Sequence, residues 1–305
     1  MSLVKSIGGK KVNFDFNKDF INIFSDKIKS ADIQFINQTL KDLHPSDIAN
    51  LIENLSQESR SKLIELEAFS IDPEIFVELN ESIQTEVLQL LSTDSISKIL
   101  KRLESDNAIS IIENLEKKKK ESVLDKLPPK DRFLLEEGLS YPEDSAARIM
   151  QREFTAVPSD WSVGQTIDYL RESKDLPEEF LEIFVVDNEF KPIGIVPSSR
   201  VLRTPREKKM NSIMREMPVL ISVNMDKEEV GHTFENYNLL SAGVVNKNNK
   251  LVGMITADDV VTVVQEEAEE DALRLAGVGD EEITDSVIVK TKRRFNWLLL
   301  NLFTA

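Results

Sequence analysis

The stretch Leu251-Val252-Gly253-Met254-Ile255-Thr256-Ala257-Asp258-Asp259 decides the fold of the second half of this chain. Its first five residues repeat the pattern of Pro192-Ile193-Gly194-Ile195-Val196, about 60 residues earlier. Working outward, Val185-Val186-Asp187 returns as Val244-Val245-Asn246, and Ile149-Met150 returns as Ile213-Met214. Each copy, within residues 145 to 265, reads as a helix start, a short strand, a helix, two strands joined by a polar turn, and a closing helix. The polar turns are Asn188-Glu189 and Asn248-Asn249. This is a duplicated α/β unit. The copies part after the glycine: Thr256 and Asp259 have no counterparts in Pro197-Ser198-Ser199-Arg200.

The first half carries a different repeat. Leucine recurs every twelve residues at Leu43, Leu55, Leu79, Leu91, Leu103, Leu115, Leu127 and Leu139, with Glu67 breaking the series beside Leu66. Cap and turn residues fall between, among them His44-Pro45-Ser46-Asp47, Ser56, Ser92-Thr93-Asp94, Ser105-Asp106-Asn107 and Pro128-Pro129. An N-cap oxygen followed by an apolar stripe, as in Asp47-Ile48-Ala49-Asn50-Leu51-Ile52, starts a helix. Helices of about eight residues are too short to stand alone in water and must stack. The spacing therefore predicts an α-superhelix over residues 30–143. Carboxylates such as Asp94, Glu104 and Asp106 read first as caps.

Net charge is −16, and it is concentrated. Between Asp258 and Asp285 stand eleven carboxylates and one basic residue, Arg274. Asp258 to Leu273 carries an apolar stripe of valines with Ala268 and Ala272, so the acids sit on a helix. Asp259, Glu266 and Glu270 share one side, with Glu267 and Asp271 adjoining. Like charges one turn apart cost roughly 0.2–0.5 kcal/mol per pair. Basic partners would offset this, but locally only Arg274 is near. Divalent cations would do so as well, since all-oxygen carboxylate sites suit Mg2+ and Ca2+. A solvated acidic face is the plain alternative.

Composition removes several function classes. The 305 residues contain no cysteine and two histidines, His44 and His232, so disulfides, thiolate chemistry and Cys or His zinc sites lack their residues. The sequence shows no nucleophile–base pair and no phosphate loop, and an enzyme is not expected. A strongly acidic chain is a poor partner for nucleic acid. Met1-Ser2-Leu3-Val4-Lys5 lacks the apolar core of a signal peptide, and residues 1–29 read as a leader, poorly ordered at its start. At the other end Lys290, Lys292, Arg293 and Arg294 precede Phe295-Asn296-Trp297-Leu298-Leu299-Leu300-Asn301-Leu302-Phe303. A basic cluster, an interfacial Trp and an apolar start match the cytoplasmic entrance of a membrane helix. The run is too short to span, so residues 295–305 read as the start of a transmembrane helix that continues beyond Ala305.

The duplicated unit resembles a tandem pair of CBS domains, whose closing pattern of Gly, two hydrophobic residues, Thr, two others and Asp stands at Gly253, Met254, Ile255, Thr256 and Asp259. The order of superhelix, CBS pair, acidic helix, basic linker and membrane entry resembles the cytoplasmic half of the MgtE family of bacterial Mg2+ transporters. Specific matches are Leu139-Ser140-Tyr141-Pro142-Glu143-Asp144-Ser145-Ala146, Tyr237-Asn238-Leu239-Leu240, Glu266-Glu267-Ala268-Glu269-Glu270-Asp271 and Asn296-Trp297-Leu298-Leu299-Leu300-Asn301-Leu302.

The resemblance implies a multidomain α and α/β architecture. It runs as a superhelical domain (30–143), CBS domain 1 (144–208), CBS domain 2 (209–264), an acidic plug helix with linker (265–294) and the membrane entry. It implies a homodimer through the CBS domains, placed on the cytoplasmic side of a bacterial cell membrane beside its own transmembrane domain. It also implies Mg2+ as a regulatory ligand that bridges acidic residues and closes the pore. The plug positions are Asp259, Glu267, Glu270 and Asp271. Asp226, Glu228 and the main-chain oxygen of Glu235 match in CBS domain 2, and Asp106 in the superhelix. The family often has acids where this chain has Asn238, Thr262 and Ser110, which implies fewer or shifted sites using Asp258 and Glu266. In nucleotide-binding CBS pairs the Asp of the closing pattern commonly holds ribose, so Asp259, with Thr256 of the same pattern, is the candidate site for ATP or another adenosine nucleotide. Two rival readings remain at this stage: a nucleotide-sensing CBS module of another membrane transporter, and a structural solenoid that recruits partners.

Overall fold

The computed structural model describes residues 16–41, 43–66, 72–177 and 180–275. Two compact units divide at Ser140 and Tyr141.

The first unit is helical. Its described helices are α1 (Lys18–Lys29), α2 (Ile33–Leu40), α3 (Pro45–Glu53), α4 (Gln57–Glu65), α5 (Glu74–Glu78), α6 (Glu81–Leu90), α7 (Thr93–Leu100), α8 (Ser105–Glu113), α9 (Lys117–Leu124) and α10 (Pro129–Leu139). The twelve-residue period is kept by the helix starts: 45, 57, 81, 93, 105, 117 and 129. The missing step, at 69, falls outside the described residues, and α5 starts late at Glu74. Caps set this register. Ser56, Asn80 and Ser92 each accept a hydrogen bond from the backbone N–H three residues on. His44 caps α3 through Nδ1, which accepts from Ser46 N at 3.3 Å, and Pro45 occupies the first helical position.

Six of the repeated leucines lie at helix junctions rather than on the helical stripes. Leu55, Leu115 and Leu127 each follow a helix end, and each N–H returns to a carbonyl three residues back. Leu55, Leu79, Leu91, Leu103, Leu115 and Leu127 are all buried. Each plugs a junction, and the stripes are supplied by residues such as Ile48, Leu51, Ile96, Ile99, Ile109 and Ile112, joined in one core. Phe24 and Ile28 of α1 belong to that core at 0% exposure. The helical unit therefore begins before residue 30, inside the segment read as leader; residues 1–15 lie outside the described residues.

The second unit is the duplicated α/β part. Copy one holds β1 (Ala156–Pro158), α11 (Val163–Glu172), β2 (Glu182–Val186), β3 (Pro192–Pro197) and α12 (Ser198–Leu202). Copy two holds α13 (Met210–Ile213), β4 (Ile221–Ser222), α14 (Lys227–Tyr237), β5 (Ser241–Val245), β6 (Leu251–Thr256) and α15 (Ala257–Leu275). Each forms a three-stranded sheet, ordered β1-β2-β3 and β4-β5-β6, with one parallel and one antiparallel pair. The registers coincide down to the bulge, between Val185 and Val186 in one copy and between Val244 and Val245 in the other. The helix start expected in both copies is a helix only in the second, as α13; Ile149-Met150 leaves a turn instead.

The copies also exchange their leading segments. Gln151 bridges Met254 of copy two, and Arg215 bridges Ile195 of copy one. Ala146, Ala147 and Met150 accordingly lie in the core of copy two. Gly194 and Gly253 are what permit this approach. A Cβ at Gly253 would stand 2.8 Å from the Gln151 carbonyl oxygen, and one at Gly194 2.8 Å from that of Arg215. A third core, with Phe184, Val186, Ile195, Leu251 and Met254, draws on both sheets.

Candidate functional site

Thr256 ends β6, and α15 begins at Ala257. The Thr256 hydroxyl donates to Asp259 Oδ2 at 2.6 Å, and the Thr256 N–H reaches the same oxygen at 3.3 Å. This is the return half of a capping box, with Asp259 at the third helical position satisfying an otherwise orphaned backbone donor. Gln151 of the exchanged leader adds Nε2 to Asp259 Oδ2 at 3.2 Å. The Thr-x-x-Asp pattern thus has a structural task. In copy one, Pro197 stands at the cap with no side-chain hydrogen bond, Arg200 gives Nη1 to the Ile213 carbonyl instead, and α12 stops after 5 residues.

From that start α15 runs unbroken for 19 residues, so a boundary at 264/265 between CBS domain and plug cuts one continuous helix. It lies along α14. Val260 and Val263 are buried with Val230 and Phe234 close by, and a Cβ at Gly231 would meet Val264 Cγ2 at 3.2 Å. Along the same helix are Asp258, Asp259, Glu266, Glu267, Glu269, Glu270 and Asp271, against one basic residue, Arg274. Asp258, Glu266 and Asp271 are exposed, and Asp259 and Glu267 half-buried. The side chain of Glu270 lies outside the described residues.

To Arg274, the basic residue near these acids in sequence, the structure adds one from another helix. Lys227, at the first position of α14, puts Nζ 3.5 Å from Glu267 Oε1 and 3.4 Å from Asp144 Oδ1. Lys227 is 22% exposed and Glu267 25%. Burial alone would lower the Lys227 ammonium, but Glu267, Asp144 and Glu266 outweigh it and hold its pKa above the ordinary lysine value. No local pattern signals this pairing: Lys227 stands between Asp226 and Glu228, and its contact with Glu267 comes from the packing of α14 on α15.

The remaining candidates are dispersed. Asp226 caps α14 and accepts from Glu228 N at 2.9 Å. Glu228 is exposed, with Oε1 3.9 Å from His232 Nε2. Glu235 is exposed, and its carbonyl receives the Asn238 N–H. Asn238 closes α14 with φ 49°, a left-handed conformation that Asn tolerates better than most residues. Asp106 lies buried in the first turn of α8, in the other unit. Among the described residues, no three His, Cys, Asp or Glu side chains gather closely enough to hold a metal ion, and no helix is long and apolar enough to cross a membrane. The residues read as linker and membrane entry, 276–305, lie outside the described residues.

Residues 43–144 match the MgtE intracellular N domain, and residues 146–207 and 210–266 each match the CBS domain. The chain belongs to the MgtE family. Relatives called magnesium transporter MgtE include one from Bacillus subtilis, 30% identical over 54% of this chain, and one from Enterococcus faecalis, 28% identical over 55%. The alignments cover 37% of each, so the chain spans little more than a third of the length of these MgtE relatives. Two solved structures share the fold. The soluble part of a magnesium transporter has a TM-score of 0.69 at 21% identity, with 81% of this chain and 98% of that one covered. The cytosolic domain of the Mg2+ channel MgtE in complex with ATP has a TM-score of 0.72 at 24% identity, with 80% and 99% covered. The helical unit expected from the twelve-residue repeat, followed by the CBS pair expected from the resemblance, is the fold shared with these two solved structures.

Proposed function

We propose that this chain is the Mg2+-sensing regulatory region of a magnesium transporter, acting on the cytoplasmic side of a bacterial membrane. It is a sensor and not an enzyme. Mg2+ bridges acidic residues of the helical unit, the CBS pair and α15, and so favours a closed arrangement. The observation that carries this reading is α15: seven carboxylates on a 19-residue helix, locked at its base to a CBS pair by Thr256, Asp259 and Gln151. Its donors are all oxygens, the kind a hard cation takes.

The dispersal of the ligands supports a bridging role. A ligand shifts an equilibrium only by its differential affinity for the two states. Asp106, Asp226 and Glu228 stand on other elements than the carboxylates of α15, so an ion that joins them to α15 binds well only once those surfaces meet. Neutral Asn238, Thr262 and Ser110 reduce the number of such bridges. A second copy of the chain supplies a further surface. Tyr237 and Leu240 at the end of α14, with Val261 and Val264 of α15, are exposed apolar residues suited to a CBS-mediated homodimer.

Small-angle scattering and protease protection of this chain, followed as MgCl2 replaces KCl at constant ionic strength, test the reading. Compaction and slower cleavage of α15 in the millimolar range are expected. No change in either sinks it. A second reading is an adenosine nucleotide at Thr256 and Asp259, favoured by the ATP-bound relative and by the ribose role of the Asp position in similar domains. Calorimetric titration with ATP decides it, and nucleotide binding would be compatible with metal sensing.

A further inference from the structure

We propose that Lys227 is a tethered cation that competes with the divalent ion for Glu267 and so sets the concentration at which the sensor responds. The inference rests on the sensing reading above. The structure places the Lys227 ammonium between Asp144 Oδ1 at 3.4 Å and Glu267 Oε1 at 3.5 Å, on carboxylates of the segment entering the CBS pair and of the acidic helix. The pair is half-buried, so water and salt screen it less than a surface contact.

The position of the lysine is fixed by its helix. Lys227 opens α14, its N–H donates to the Asp144 carbonyl at 2.9 Å, and the closely packed α14–α15 contact at Gly231 and Val264 holds Glu267 above it. Entry of a divalent ion at Glu267 therefore displaces an ammonium already there. The exchange replaces one positive charge by two, and it releases a lysine whose stem remains packed. The energy of leaving the lysine is subtracted from every binding event at Glu267. Lys227 is thus a basic side chain from another helix set against a carboxylate of α15.

The test compares Mg2+ titrations of the wild-type chain with Lys227→Met, Lys227→Arg and the double variant Lys227→Met/Glu267→Gln. The readouts are the midpoint of protease protection and hydrogen exchange of α15, at fixed ionic strength. Lys227→Met lowers the midpoint about three- to tenfold, and Lys227→Arg stays within about twofold of wild type, as expected for a partly screened ion pair. Glu267→Gln in the Met background removes the gain, because the gain comes through the released carboxylate. A midpoint unchanged or raised in Lys227→Met, with a responsive wild type, overturns the inference and leaves the sensing reading standing. A gain that survives Glu267→Gln also overturns it, since the lysine then acts only as a distant charge. An unresponsive wild type overturns both.

Discussion

Glu182 Oε2 accepts a hydrogen bond from Ser241 Oγ at 2.7 Å, and the two residues are each other's counterparts in the duplicated unit, the first residues of β2 and β5. The Glu182 side chain is 4% exposed and is also paired with Arg215, of the leader exchanged from copy two. One carboxylate thus ties together the two copies and the exchange between them. Arg215 is half-exposed and keeps water when its partner is lost, so the cost is below that of a fully buried pair. Glu182→Ala is expected to lose about 1–2 kcal/mol of stability in the second unit. Glu182→Gln, which keeps the acceptor for Ser241, is expected to lose about half as much. Urea denaturation of the chain measures both; equal losses would show that only the charge matters.

Gly253→Ala and Gly194→Ala test the exchange itself. Each new methyl group meets a backbone carbonyl oxygen at 2.8 Å and the sulfur of Met150 or Met214 at the same distance. A backbone oxygen cannot swing aside as a side chain does. Each substitution is expected to destabilise by about 1–3 kcal/mol, as overpacked cores do. Thermal unfolding followed by circular dichroism reports this. If the leaders did not cross between copies, both changes would be nearly silent.

The parts of the fold legible in sequence are those written in local chemistry. Ser56 and Ser92 announced helix starts that fall on the twelve-residue step. The duplicated glycine strands announced two matching sheets. What was not legible is the partner of each segment. Nothing near Ile149-Met150 says that it packs in the second copy, because that choice is made by complementarity with Gly253, about 100 residues away. The leucine period was visible but its meaning was not. A buried leucine at a helix junction and one on a stripe have the same spacing when every helix has the same length. The acidic helix was legible as charge, whereas Lys227 was hidden among Asp226 and Glu228 until the packing of α14 on α15 brought it to Glu267.

A buried ion pair in the helical unit makes a separate prediction. Arg60 gives Nε to Glu86 Oε1 at 3.1 Å, Nη2 to Glu86 Oε2 at 2.6 Å and Nη1 to the Leu55 carbonyl at 2.6 Å. The arginine side chain is 9% exposed. Glu86→Ala leaves that charge buried without its carboxylate and is expected to cost about 3 kcal/mol. Arg60→Met/Glu86→Leu removes both charges and is expected to cost less than the single change, measured by urea denaturation. A double variant worse than Glu86→Ala would show that the pair is a net source of stability.

Asp259 separates two roles that sequence alone leaves together, helix cap and metal ligand. As a cap it acts at all times. Its Oδ2 holds the Thr256 hydroxyl, the Thr256 N–H and Gln151 Nε2, and so fixes where α15 leaves the sheet. Asp259→Ala is therefore expected to lose about 1 kcal/mol of local stability, which raises hydrogen exchange in the first turn of α15 about fivefold. Thr256→Ala is expected to act in the same direction. Because no ion is needed for a cap, the loss is expected to be the same in EDTA as in saturating Mg2+. A purely ligating carboxylate behaves in the opposite way. In metal-free protein its removal lessens the repulsion with neighbouring acids and stabilises the helix, and it weakens the protein only when Mg2+ is present. Hydrogen exchange of Asp259→Ala with and without Mg2+ reads these signs directly. An effect confined to the Mg2+ sample would remove Asp259 from the frame that positions α15 and return it to the ligands.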